Sequence, residues 1–85
     1  MGMDEKNIRE RVKTYIIEAV HAESEKIKED SLIFKEGFID SMGFITLITF
    51  LEDEFKIQTS DSDLLEENFE SINAITQFVI RKMAA

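Results

Sequence analysis

Cysteine and proline are absent from this 85-residue chain, and glycine occurs only three times. Without cysteine there is no disulfide, no thiolate metal site and no cysteine nucleophile. Without proline, nothing breaks a helical pattern, and no Pro- or Gly-rich linker divides the chain, so residues 1–85 are read as one domain. Internal repeats and low-complexity tracts are missing. No apolar run approaches the length needed to span a bilayer, so membrane insertion is not expected. The first ten residues are too polar for a secretory signal, which points to the cytoplasm. The Met1-Gly2 start of a myristoylation motif fails at Lys6, where that motif wants Ser or Thr.

Positive charge is also scarce, with 10 Lys and Arg against 18 Asp and Glu and a net charge of −8. Such a surface repels nucleic-acid phosphates and anionic membranes. It is drawn instead toward basic patches on partner proteins. Hydrophobic residues make up 44% of the chain, enough for one small core but not for a deep substrate cavity as well.

What is present is helical periodicity. Ile8, Val12, Tyr15, Ile16, Ala19 and Val20 recur at steps of three and four. They mark one face of an amphipathic helix from near Asp4 to near His21. From Ala22 to Asp40 the pattern lapses into a long loop, in which Leu32, Ile33, Phe34, Phe38 and Ile39 are expected to reach the core. A second helix opens at Asp40, a good N-cap, and runs to about Phe55. Phe44, Leu47, Ile48, Leu51 and Phe55 form its core face, while Met42, Ile45 and Thr49 cluster on another side. A short helix is expected over about Asp61 to Glu67, burying Leu64 or Leu65, with Phe69 in the following turn. Ser71 then caps a last helix whose buried face is Ile72, Ile75, Phe78 and Val79. Arg81 and Lys82 sit near its C-terminus, the end that favours positive charge. The fold class is therefore all-α, with three substantial helices, one short one and a long first loop.

The informative segment is Gly37-Phe38-Ile39-Asp40-Ser41-Met42-Gly43-Phe44. With its Asp-Ser-Met tripeptide at the start of a helix, it resembles the acyl and peptidyl carrier-protein family. That family's attachment site is an Asp-Ser-Leu-like tripeptide opening helix two; here Met replaces the usual Leu. The acidic run Glu52-Asp53-Glu54 closed by Phe55 resembles the family's helix-two ending, and the likeness covers most of the chain from Val12 onward. The resemblance implies a four-helix carrier bundle with 4′-phosphopantetheine attached covalently to Ser41. Asp40 would both cap the helix and help the modifying enzyme recognise the site. The implied partners are a phosphopantetheinyl transferase using magnesium and coenzyme A, and enzymes that load and process acyl or aminoacyl groups. The carrier itself is expected to be a monomer.

The physical logic agrees. A swinging arm needs an exposed hydroxyl on a rigid base, and a serine in the first turn of a helix provides one. A phosphodiester there lies near the positive end of the helix dipole. Catalysis by the chain itself is not expected, because activating Ser41 would need a neighbouring base and the only histidine is His21. No catalytic residue is assigned.

The sequence departs from fatty-acid-synthesis carriers at Gly43 and Thr46, where those usually carry acidic residues. The recognition face becomes the more apolar Met42, Ile45 and Thr49, with acids at Glu52 and Asp53. This phrasing looks more like discrete carriers of aminoacyl, peptidyl or polyketide systems. Two rivals stand beside the carrier reading. One is an acidic helical interaction module in which Ser41 is a helix-start residue only. The other is a small metal-binding protein, but Asp61-Ser62-Asp63 is followed by Leu64-Leu65-Glu66 without the central glycine of an EF-hand loop, and no metal site is assigned.

Overall fold

A computed structural model describes residues 4–20 and 26–84. The chain forms α1 (Glu5–Val20), α2 (Ser41–Phe55), a 3-10 turn (Asp61–Asp63), α3 (Glu66–Phe69) and α4 (Ile72–Ala84), with no strand among the described residues. The expected end of α1 at His21 and the start of the loop at Ala22 lie outside the described residues. α1, α2 and α3 each pack against α4. Ile8, Val12 and Ile16 of α1, Leu47, Leu51 and Phe55 of α2, and Ile72, Ile75, Phe78 and Val79 of α4 form the core, as their periodicity predicts. Phe44 and Ile48 pack on its edge.

Two parts of the reading need correction. Within the long loop, Ile33 and Ile39 are buried and Phe34 and Phe38 pack against the core, but Leu32 is 36% exposed. Ile27, which carries no periodic signal, is buried instead. The loop is held by backbone bonds that the sequence does not announce. The Asn73 amide donates to the Glu29 carbonyl and the Ile33 amide to the Glu70 carbonyl, each at 2.9 Å. These bonds pull the loop onto the α3–α4 junction and turn Leu32 outward.

The short helix expected over about Asp61 to Glu67 is split in two. Leu64 has φ −84° and ψ 58°, which ends the 3-10 turn before α3 begins. The Asp63 carbonyl accepts from the Leu65 amide at 2.9 Å and from Asn68 Nδ2 at 2.8 Å, an arrangement that excludes a continuous helix. Leu64 and Leu65 are consequently 38% and 49% exposed, not buried. Phe69, expected in a turn, is the last residue of α3 and fully buried.

Asp63 joins the 3-10 turn to α4. Its Oδ2 accepts from Lys82 Nζ at 2.7 Å and from the Ser60 amide at 3.0 Å. Lys82 first and then the Ser60 amide pull its pKa down to about 2. A carboxylate with a depressed folded-state pKa stabilises the fold above its unfolded value of about 3.9 and ceases to as pH falls through the folded value. Asp63→Asn is therefore expected to have a shallower decline of Tm with acidification between about pH 4 and pH 2 than the parent. Parallel Tm curves for the two proteins would show that these contacts contribute nothing to acid sensitivity.

Candidate functional site

Ser41 is the first residue of α2, and it is exposed. Its position is fixed from both sides. On the helix side, Asp40 is extended (φ −104°, ψ −171°), and its Oδ1 accepts from the Gly43 amide at 2.9 Å. The Asp40 carbonyl accepts the Phe44 amide, also at 2.9 Å. This satisfies donors that a helix N-terminus leaves open and sets the direction of the first turn. On the loop side, the Ile33 carbonyl accepts from both the Phe38 and Ile39 amides, at 2.9 and 3.2 Å. The reversal passes through Gly37 at φ 81°, a conformation that side-chain-bearing residues rarely adopt. Ile39, anchored in the core, delivers Asp40 and Ser41 to the surface.

Gly43 has a packing reason of its own. A Cβ there would lie 3.0 Å from Ile39 Cγ2 and 3.4 Å from Asp40 Oδ1. The missing side chain lets the helix start press against the two residues that orient Ser41.

Beside Ser41 runs an open groove of about 540 Å³. Phe34, Ile39, Phe44, Ile45 and Leu64 line it, with the carboxylates of Asp40 and Glu66 also in its wall. The Phe34 and Phe44 rings meet edge to face at 5.6 Å, and Phe44 in turn meets Phe69 at 5.3 Å and 78°. Phe69 continues to Phe78 of α4 at 4.8 Å. The groove is thus backed by a chain of aromatic contacts reaching into the core. The sequence pattern placed Phe44, and one of Leu64 and Leu65, in the core. The role of Phe44 and Leu64 in the groove wall had no sequence signal, since both are ordinary apolar positions until the 3-10 turn brings Leu64 across from α2.

The residues read as a partner face stand together on α2. Met42 is 72% and Ile45 61% exposed, and Thr49 is exposed on the same side. Thr49 Oγ1 donates to the Ile45 carbonyl at 3.2 Å. Leu64 adds apolar surface across the groove, and Leu65 beside it in sequence is also exposed. Between residues 40 and 70 nine carboxylates are set against a single base, Lys56. Asp53 is exposed, whereas Glu52 is half-buried. The Glu52 carboxylate accepts from the Thr59 amide at 2.9 Å and the Thr59 hydroxyl at 2.7 Å. Both bonds hold its pKa below the ordinary carboxylate range, the amide first. Glu52 therefore ties down the exit from α2 as well as contributing charge. His21, the only histidine, lies outside the described residues. No cluster of His, Asp and Glu with metal-site geometry occurs among the described residues. No described helix is long and apolar enough to cross a membrane.

Comparison with known proteins shows the family. The family model described as "Phosphopantetheine attachment site" matches residues 10–79. An acyl carrier protein of Buchnera aphidicola subsp. Acyrthosiphon pisum is 36% identical over 74 residues, covering 87% of this chain and 86% of the relative. An acyl carrier protein of Buchnera aphidicola subsp. Baizongia pistaciae is 29% identical over 73 residues, covering 86% and 91%. An acyl carrier protein of Thermosynechococcus vestitus is 25% identical over 83 residues, covering 98% of this chain and the whole of the relative.

Proposed function

Because the chain belongs to the phosphopantetheine attachment-site family and carries that group covalently, we propose that Ser41 is the attachment point of a single carrier domain. The observation that carries this assignment is the placement of an exposed hydroxyl at the first position of α2, held by the Asp40 cap on one side and the Ile33–Ile39 turn on the other. Attached there, the group supplies a terminal thiol that holds acyl or aminoacyl cargo as a thioester. The chain's own contribution is mechanical and electrostatic. The N-terminus of α2 favours the phosphodiester charge. Asp40 spends its near oxygen on the Gly43 amide and keeps the serine in one orientation.

Incubation with coenzyme A, magnesium and a promiscuous phosphopantetheinyl transferase tests the proposal. Intact mass is expected to rise by one arm, and peptide mapping to place the increment on the segment containing Ser41. An unchanged mass would favour the non-carrier interaction module.

For partners we take the exposed Met42–Ile45–Thr49 face as the surface that loading and processing enzymes touch. The surrounding acids, Asp53 above all, steer basic partner surfaces toward it. The apolar character of this face, together with Gly43 and Thr46 in place of carboxylates, supports a discrete carrier of a specialised aminoacyl, peptidyl or polyketide system. Ile45→Asp is expected to lower kcat/KM for loading roughly tenfold with helical content unchanged. Asp53→Lys is expected to slow association with an effect that shrinks as salt rises. Glu52→Lys removes the Thr59 bonds as well as the charge, so part of its effect is expected to persist at high salt. Loading kinetics at two ionic strengths separate these cases. An Ile45→Asp variant that loads at the parent rate would place the partner surface elsewhere.

A further inference from the structure

The segment that brings Leu64 to the groove has little burial of its own. Between Ile57 and Phe69, both buried, every residue is at least partly exposed, Leu64 and Leu65 substantially so. Polar contacts hold it instead, and they converge on Asp63. Its side chain accepts from Lys82 Nζ at 2.7 Å, the Ser60 amide at 3.0 Å and the Ser60 hydroxyl at 3.1 Å. Its carbonyl accepts from the Leu65 amide and Asn68 Nδ2. Asn68 Oδ1 then accepts from Arg81 at 3.1 Å. Both basic residues at the end of α4 thus reach across to this segment.

An apolar contact resists salt and competing ions; a part-exposed ion pair does not. A segment anchored by burial would move only when the core opened. One anchored by a few charge-assisted bonds opens as a local unit, at a lower free energy than global unfolding.

We propose that Lys82 and Asp63 are positioning residues for the groove at Ser41, forming a clasp that holds the Leu64 wall in place and lets it yield without unfolding the bundle. The groove's width is then set by an ion pair that is not itself part of the groove lining. The meaning of that width for cargo rests on Ser41 being the attachment point, but the clasp itself does not.

Amide hydrogen exchange on the unloaded protein, resolved by residue, therefore tests the clasp independently of arm attachment. The reporters are the amides of Asp63, Leu64, Leu65 and Asn68, which donate to Ser60, Asp61, Asp63 and Leu65. In Lys82→Met these four are expected to exchange about tenfold faster, as loss of a charge-assisted bond implies. In the parent these four should already be protected at least about tenfold less than the Leu51, Ile75 and Val79 amides, since the segment opens as a local unit at a lower free energy than the core. Lys82→Arg, which keeps the charge, should restore protection, and Asp63→Asn should reproduce the loss. Unchanged exchange at the four reporters in Lys82→Met would overturn the proposal. So would protection of the four reporters equal to that of the core amides in the parent, because the segment would then open only with the whole fold.

Discussion

Ser41→Ala is expected to melt like the parent and to gain no mass when incubated with coenzyme A and a phosphopantetheinyl transferase. The two halves of this result follow from separate observations. Stability is preserved because the helix cap is the Asp40 carboxylate, not the serine, so the substitution leaves the bond to the Gly43 amide intact. Ser41 is exposed, and alanine is a good residue for the helix position it occupies. A change within about 0.5 kcal/mol is usual for such surface sites. Loading is lost because the other described serines are engaged in structural roles. Ser31 accepts the Lys28 amide, Ser60 and Ser62 bond each other beside Asp63, and Ser71 is buried and caps α4 through the Ala74 amide. Intact mass and thermal melting by circular dichroism check both halves on one sample. An alanine variant that still gained the arm would move the attachment point to another hydroxyl.

Phe69→Ala is expected to remove a large share of the domain's stability. The ring is fully buried and meets Phe44 and Phe78, so it links α2 to α4 through a four-residue helix that has little stability of its own. Truncating a buried phenylalanine costs about 3–5 kcal/mol through lost transfer energy and the cavity left behind. Against a total of about 5–15 kcal/mol, that is severe. For a domain of this size it lowers Tm by roughly 15 °C or more. Phe55→Ala, at the end of α2 and 4% exposed, belongs to the same class. A Phe69→Ala melting curve close to that of the parent would show that the aromatic chain behind the groove does not support the fold.

The residues whose fate could be read from the sequence share a physical property: their environment depends on neighbours three or four positions away. Val12 and Ile16, Leu47 and Leu51, Ile75 and Val79 are buried because a helix places them on one stripe. The Asp40 cap is equally local, since its acceptor and the Gly43 amide are three residues apart. For the same reason the Asp40-Ser41-Met42 motif was visible together with the helix it opens.

Local rules alone determined that this is an all-helical chain with a long first loop and a serine presented at the start of α2. Only the tertiary structure decided where the aperiodic residues went. Leu32 faces solvent and Ile27 the core because the loop is pinned by Asn73 and Glu70, more than thirty residues away in sequence from the groups they hold. Leu64 and Leu65 are exposed because the Asp63 carbonyl takes the Leu65 amide and Asn68 Nδ2 and so breaks the expected helix, while the Asp63 carboxylate reaches Lys82 on α4. Apart from the Leu65 and Asn68 bonds to the Asp63 carbonyl, which span at most five residues, those bonds join groups 19 or more residues apart along the chain, so no window of neighbouring residues contains both partners. The same long-range contacts bring Leu64 opposite Phe34 and Phe44, and so create the groove beside Ser41.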